Sequence, residues 1–151
     1  MQVRVASLAA ALGIAAAALS IGVTPAAPGS GAAQAAPARA EVRFLSNGGR
    51  YSLAVSGPAG GFETGKALAL DVRVEHAAAP GVRVDGIALL VDADMPEHLH
   101  GINRAPRVER RADGSFRVEN LFLHMPGWWE IFLDVVEGPW TERAQWRVEL
   151  D

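Results

Sequence analysis

After residue 38 the sequence is a series of short runs in which apolar residues occupy every second position. The run from Leu68 to Val74 is one example, and the run from Trp129 to Val135 is another. A period of two places alternate side chains on opposite faces of a strand, whereas an amphipathic helix repeats every three to four residues. Helical periodicity is almost absent here, so the pattern predicts an all-β domain.

Turn-forming residues separate these runs. Asn47-Gly48-Gly49, Asp113-Gly114 and Gly138-Pro139 each stand between two of them, and Asn, Asp and Gly tolerate the positive φ angles of tight hairpins. Seven or eight strands after residue 38 predict an immunoglobulin-like antiparallel β-sandwich of about seven strands. The predicted strands are 41–45, 50–55, 66–75, 84–91, 107–111, 115–123, 129–136 and 140–150, and 92–106 is predicted to be a long loop.

Residues 1–38 are predicted to be a signal peptide followed by an Ala/Pro/Gly-rich linker. Arg4 is their one charged residue, and every aromatic residue of the chain comes later. An unbroken weakly polar to apolar stretch over 5–23 is followed by small-residue cleavage sites of the A-x-A type. We therefore expect 39–151 to be an exported domain in the periplasm or cell envelope, anchored in the membrane if the leader is not cleaved. The candidate sites are Ala33-Gln34-Ala35, Ala36-Pro37-Ala38 and Ala38-Arg39-Ala40.

Charge and cysteine content exclude several classes of function. The net charge is −3, whereas a dedicated nucleic-acid binder would carry a basic stripe. The chain has no cysteine, which excludes a disulfide partner, a thiolate zinc site and a thiol nucleophile. No Ser–His–Asp arrangement or catalytic carboxylate pair stands out, so we do not expect an enzyme.

Histidine and methionine are concentrated in two short segments, 95–101 and 124–127. The strand pattern places both segments between strands, and connections in a sandwich cluster at its two ends, so the segments can meet at one rim. His98 and His100 would project on the same side of an extended loop, roughly 6.5 Å apart. Imidazole and thioether without thiolate favour copper, as Cu(I) or Cu(II), over structural zinc. The candidate ligands are Met95, His98, His100, His124 and Met125.

A metal-free interaction or structural module at the cell envelope is the alternative. Taken singly, each methionine could fill the core and each histidine could be a surface residue. Arg104, Arg107, Arg110 and Arg111 form a basic run, which suits either a solvated edge strand or a docking patch for an acidic partner. Trp128 is out of phase with its neighbour and could add an exposed aromatic ring. His76 is predicted to be solvated surface.

The two segments together resemble the YtkA-like domain family. The motifs are Met-Pro-x-His-x-His-Gly at 95–101, Phe-Arg-Val-Glu-Asn-Leu at 116–121 and His-Met-Pro-Gly-Trp-Trp-Glu at 124–130, and the likeness runs from about Tyr51 to Leu150. The resemblance implies a small exported immunoglobulin-like domain that handles copper. It also implies a periplasmic or membrane copper acceptor, such as a respiratory oxidase assembly component. Ile102 stands where the family motif commonly has Met. Carried over by position, the implied ligands are Met95, His98, His100 and Met125, with His124 beside them.

Overall fold

The computed structural model describes residues 41–151. In this part of the chain nine strands are joined by turns and one short 3₁₀ turn, and no helix is long and apolar enough to cross a membrane. The predicted signal peptide and linker, 1–38, lie outside the described residues. The strands are β1 (Glu41–Leu45), β2 (Tyr51–Ser56), β3 (Ala67–His76), β4 (Ile87–Met95), β5 (His100–Gly101), β6 (Arg107–Arg110), β7 (Phe116–Phe122), β8 (Gly127–Glu137) and β9 (Trp140–Leu150).

These strands form two antiparallel sheets. The first has the order β1-β2-β3-β7-β6, and the second has the order β5-β4-β8-β9. The prediction of an all-β antiparallel sandwich is thus confirmed. The strand count exceeds the expected seven or so, partly because the predicted loop over 92–106 contains β5, whose two residues pair with the end of β4.

One apolar core lies between the two sheets, and the alternation in the sequence specifies it. On β3 the buried residues are Leu68, Leu70, Val72 and Val74, as the period of two predicts. The inner face of β8 follows the same rule from Trp129 to Val135. Side chains of both sheets join one cluster, which therefore fixes how the sheets stack.

Strand β4 differs from its prediction. It spans Ile87–Met95 instead of 84–91, so Asp92 and Asp94 lie on a strand and the predicted loop over 92–106 is wrong at its start. The inward alternation continues through Ala93 and Met95, which are both fully buried, while the two aspartates point outward to water. Pairing with β8 from Ile87 to Asp94 outweighs the low strand propensity of aspartate.

A β-bulge in β7 determines which side chains after Asn120 point into the core and which point outward. Leu70 pairs with Val118 but Leu68 pairs with Leu121, so β7 holds one extra residue at this point. Asn120 has φ +59°, a left-handed conformation that Asn tolerates better than most residues. The extra residue reverses the alternation, so that Leu121 and Leu123 are buried and His124 is only half-buried.

Candidate metal centre

Three of the four histidines lie in a row at one end of the sandwich. The ring centroids of His98 and His100 are 5.8 Å apart, and those of His100 and His124 are 5.5 Å apart. Two imidazoles on one metal ion have centroids no more than about 6.4 Å apart, because metal–nitrogen bonds are near 2.0 Å. Both neighbouring pairs in the histidine row (His98, His100 and His124) therefore fit this limit.

His100 is the middle member of the histidine row, and of the three rings its hydrogen bonding best suits the binding of a metal ion. Its Nδ1 lies 3.2 Å from the carbonyl oxygen of His98. A carbonyl can only accept, so this hydrogen bond places the ring proton on Nδ1 and leaves a lone pair on Nε2. That Nε2 is buried and has no hydrogen-bond partner among residues 41–151. A metal-binding histidine typically has this arrangement, with one nitrogen bonded to a backbone carbonyl and the other free for the ion.

His124 presents a second buried ring nitrogen without a partner. Its Nδ1 makes no hydrogen bond within the described part of the chain. The ring is stacked on Phe122 with a centroid distance of 6.4 Å and an angle of 13°. The Arg104 guanidinium covers Phe122 at 4.5 Å, so the ring of His124 belongs to a layered group. Two buried, unpartnered nitrogens on neighbouring rings are unusual, because buried polar groups nearly always find a partner.

A tight turn brings His98 beside His100. Residues Pro96–His98 form a 3₁₀ turn, which ends at Leu99 in a left-handed conformation with φ 54° and ψ 38°. The predicted extended loop is therefore wrong, although the separation of the two rings is close to the expected one. Leu99 is 92% exposed, so an apolar side chain in an unfavourable backbone conformation stands at the tip between the two histidines.

The two methionines occupy different surroundings. Met95 is fully buried at the end of β4, directly opposite His100 in the β4–β5 pairing, so the two side chains share a face of the sheet. Its methyl group lies against Gly127, where an added Cβ would be 3.0 Å away and φ is +113°. Met125 is partly buried and packs against the core. Met95 thus serves the core as well as lying next to the histidine row.

Within residues 41–151, no three His, Asp or Glu side chains form a group that could hold a metal ion as they stand. The site instead offers two adjacent imidazole pairs that share His100, with a thioether next to His100 in the sheet and another next to His124 in sequence. This arrangement suits an ion held by few ligands. It does not suit a closed four-ligand cage.

Sequence reasoning missed two residues that shape this end of the molecule. The alternation from Trp129 to Val135 places Trp129 on the inner face of its strand, and its ring also contacts the rings of both His100 and His124. Phe122 was not singled out, and its ring stacks on His124. The signal for the bulge is the change of phase between Phe116-Arg117-Val118 and Leu121-Phe122-Leu123, which turns the half-buried Phe122 away from the core.

The fourth histidine lies elsewhere and is not the solvated surface residue that was predicted. His76 is half-buried at the end of β3, and its ring stacks on Tyr51 with a centroid distance of 5.7 Å. Ala67, which begins β3, pairs with Phe122 near the histidine row. The length of β3, about 30 Å at the rise of a strand, therefore separates His76 from the site.

These observations define a class of domain: an antiparallel β-sandwich with a row of half-exposed histidines at one end. No protein-family model matches the sequence, and no curated protein sequence is similar to it. The resemblance to the YtkA-like family therefore stays a prediction.

Two solved structures have a similar fold, and both are FetP from uropathogenic Escherichia coli strain F11. A copper-bound single-residue variant has a TM-score of 0.49 and 9% identity, covering 74% of this chain and 95% of that one. The as-isolated protein, expressed in the periplasm of E. coli BL21(DE3), has a TM-score of 0.48 and 10% identity, covering 74% and 94%. Identities of 9–10% transfer no site residue to this chain.

Proposed function

We propose that residues 39–151 form an exported copper-binding domain, which holds copper at the histidine row and carries or buffers it for a periplasmic or membrane partner. The observation that carries this proposal is the pair of buried, unpartnered ring nitrogens, His100 Nε2 and His124 Nδ1. Leaving a buried polar group without a partner costs about 1–3 kcal/mol. A ligand that bonds to both nitrogens would recover that cost.

The donor set supports copper. Imidazole binds copper well, and thioether sulfur is a soft ligand that selects copper(I). Met95 lies opposite His100 in the sheet, and Met125 follows His124 in the chain. Structural zinc is usually enclosed by four ligands, often thiolates, and this chain has no cysteine.

Exposure supports a role in transfer rather than permanent storage. His98 is exposed while His100 and His124 are half-buried, so one end of the row is open to water. An acceptor could replace the outermost ligand first, and the ion would then move without release into solution. The partner we propose is a copper acceptor such as a respiratory oxidase assembly component.

The metal-free interaction module has less support. Its basic run would need free arginines, but three of its members take part in ion pairs with Glu109, Asp85 and Asp71. The guanidinium of Arg104 lies over Phe122. The ring of Trp128 is also covered, by the guanidinium of Arg147 at 5.4 Å. These contacts match the solvated edge strand more closely than an acidic partner's docking patch.

The test is a copper titration of the exported, metal-free protein. Copper(I) is added without oxygen in competition with a chromogenic chelator, and copper(II) is added in a separate series. We expect the wild type to bind one equivalent and a His98→Ala/His100→Ala double variant to lose it. His76→Ala is the matched control, because it removes a half-buried histidine far from the row and should bind like the wild type. Equal binding by the double variant and the wild type would contradict the proposal.

A further inference from the structure

Trp129 lies where the two histidine segments meet. It is on the inner face of β8 and is fully buried. Its ring contacts that of His100 at 6.2 Å and 83°, and that of His124 at 5.4 Å and 69°. These edge-to-face arrangements are ones that aromatic rings favour. One indole therefore packs against two imidazoles that come from different parts of the sequence.

The indole N–H of Trp129 also contacts the segment that carries His124. A buried indole N–H needs an acceptor, and Trp129 Nε1 donates to the carbonyl oxygen of Met125 at 2.9 Å. Met125 directly follows His124, in the corner between β7 and β8. The indole thus holds the backbone of the corner with its N–H and contacts the His124 ring with its carbons.

No hydrogen bond to the two free ring nitrogens fixes His100 and His124 relative to each other. His100 Nε2 and His124 Nδ1 are without hydrogen-bond partners within residues 41–151. His100 is held from the other side by β5 pairing and by the carbonyl of His98. The relative placement of His100 and His124 therefore depends on what packs between the β5 segment and the corner.

We infer that Trp129 is the positioning residue of the copper site, an inference that rests on the proposed function. Its indole N–H fixes the corner through the Met125 carbonyl, and its ring keeps His124 next to His100 before any ion arrives. Groups outside the ligand set that orient metal ligands typically contribute about 10- to 100-fold in metal affinity, and we expect an effect of this size from Trp129.

The decisive variant removes the N–H without changing the shape of the core. Site-specific replacement of Trp129 by benzothienylalanine keeps the bicyclic ring and puts sulfur in place of the N–H. We expect the thermal midpoint to fall by no more than about 4–8 °C, because the Met125 carbonyl loses its donor. The copper dissociation constant should rise about 10- to 100-fold. In metal-free protein, the ¹³C-methyl NMR signal of Met125 and the ring signals of His124 should shift. The matched control is the same replacement at Trp146, which stacks on Phe44 at 5.3 Å, away from the row.

The outcomes separate this inference from the proposed function. Unchanged copper affinity together with unchanged Met125 and His124 signals would overturn the role of Trp129 and leave the copper site standing. If the wild type itself binds no copper at the row, the proposed function fails. The NMR signals of metal-free protein then still decide whether the indole N–H holds the corner. Trp129→Phe, which lacks the N–H but opens a cavity, should agree with the isosteric replacement in its NMR shifts.

Discussion

Two clusters of buried or half-buried polar groups in this domain differ in whether their members have hydrogen-bond partners. The first, the satisfied cluster, consists of Ser46, Tyr51, Glu137 and Glu142, and the second is the histidine row. In the first, the Ser46 hydroxyl donates to Glu142 at 2.6 Å and accepts from the backbone N–H of Tyr51 at 3.1 Å. In the histidine row, His100 Nε2 and His124 Nδ1 have no partner among the described residues. Each hydrogen bond of the first cluster stabilises the fold by about 0.5–1.5 kcal/mol, whereas each unpartnered group costs about 1–3 kcal/mol.

The groups of the first cluster form hydrogen bonds that shift one another's pKa values. Burial, followed by the hydrogen bond to Glu137, raises the pKa of Tyr51 to about 12. The hydrogen bond from Ser46 lowers the pKa of Glu142. Nothing is missing from this cluster, so we assign it to stability alone. The histidine row lacks the partners that a purely structural cluster would have, and this difference is the reason to look for a ligand there.

The largest effect is expected for His100→Phe. Because the phenyl ring keeps the packing against Trp129 but has no nitrogen, copper affinity should fall by about 100-fold or more. The free energy of unfolding of the metal-free protein should change by less than about 1 kcal/mol, because the lost hydrogen bond to the His98 carbonyl offsets the removal of a buried unpartnered nitrogen. Chelator competition measures the first quantity and urea denaturation the second. A loss of stability like that of a normal core polar group would remove the contrast between the two clusters.

The next effect is expected for Ser46→Ala in the satisfied cluster. The variant leaves the Tyr51 N–H without the Ser46 acceptor and Glu142 without its hydroxyl donor. We expect a loss of about 1–3 kcal/mol in the free energy of unfolding and no change in copper affinity. Ser52→Ala, at a half-buried position on the neighbouring strand, is the control and should change stability by less than about 0.5 kcal/mol. A copper effect of Ser46→Ala would mean that the two clusters are coupled.

A smaller effect should appear in the acid range. The hydrogen bond from Ser46, then those from backbone N–H groups, lower the pKa of Glu142 from its ordinary value of 4.5. The folded state therefore binds this proton less readily than the unfolded chain. The resulting stability is complete above about pH 4.5 and is lost as the pH falls through the folded pKa. Urea denaturation between pH 3 and pH 7 should show Glu142→Gln converging on the wild type at the acid end. A difference that stays constant with pH would rule out this linkage.

The smallest effect is expected for Leu99→Asn. Leu99 is almost fully exposed and has φ +54°, a region that Asn tolerates better than Leu. The substitution should stabilise the metal-free protein by about 1 kcal/mol at most, because Asn relieves part of the cost of the left-handed conformation, and thermal or urea denaturation can resolve this change. Copper affinity should change little, because no proposed ligand is removed. Destabilisation by Leu99→Asn would instead show that the leucine side chain stabilises the fold by more than its left-handed conformation costs.

Much of the fold could be predicted from the sequence. The alternation on β3 and β8 identified their buried faces, and Asp113-Gly114 marked the hairpin between β6 and β7, where Gly114 has φ +82°. These predictions succeed because side-chain period and turn conformation are local properties. The grouping of His98, His100 and His124 was also expected, since loops of a sandwich meet at its ends.

The features that the sequence does not predict depend on contacts between residues that are far apart in the chain. The end of β4 was missed because Asp92 and Asp94 resemble a loop until their pairing with β8 is known. The burial of Met95 follows from that same extension of the strand. The role of Trp129 could not be predicted, because alternation places it in the core but does not show that two histidines pack against it.

The most direct test of the proposed copper site is diffraction at the copper absorption edge, from crystals of residues 39–151 grown with one equivalent of copper. We expect a single anomalous peak at the histidine row, at a bonding distance of about 2 Å from ring nitrogens of His100 and His124. A fully loaded crystal with its peak at His76, or with no peak at the row, would contradict this expectation.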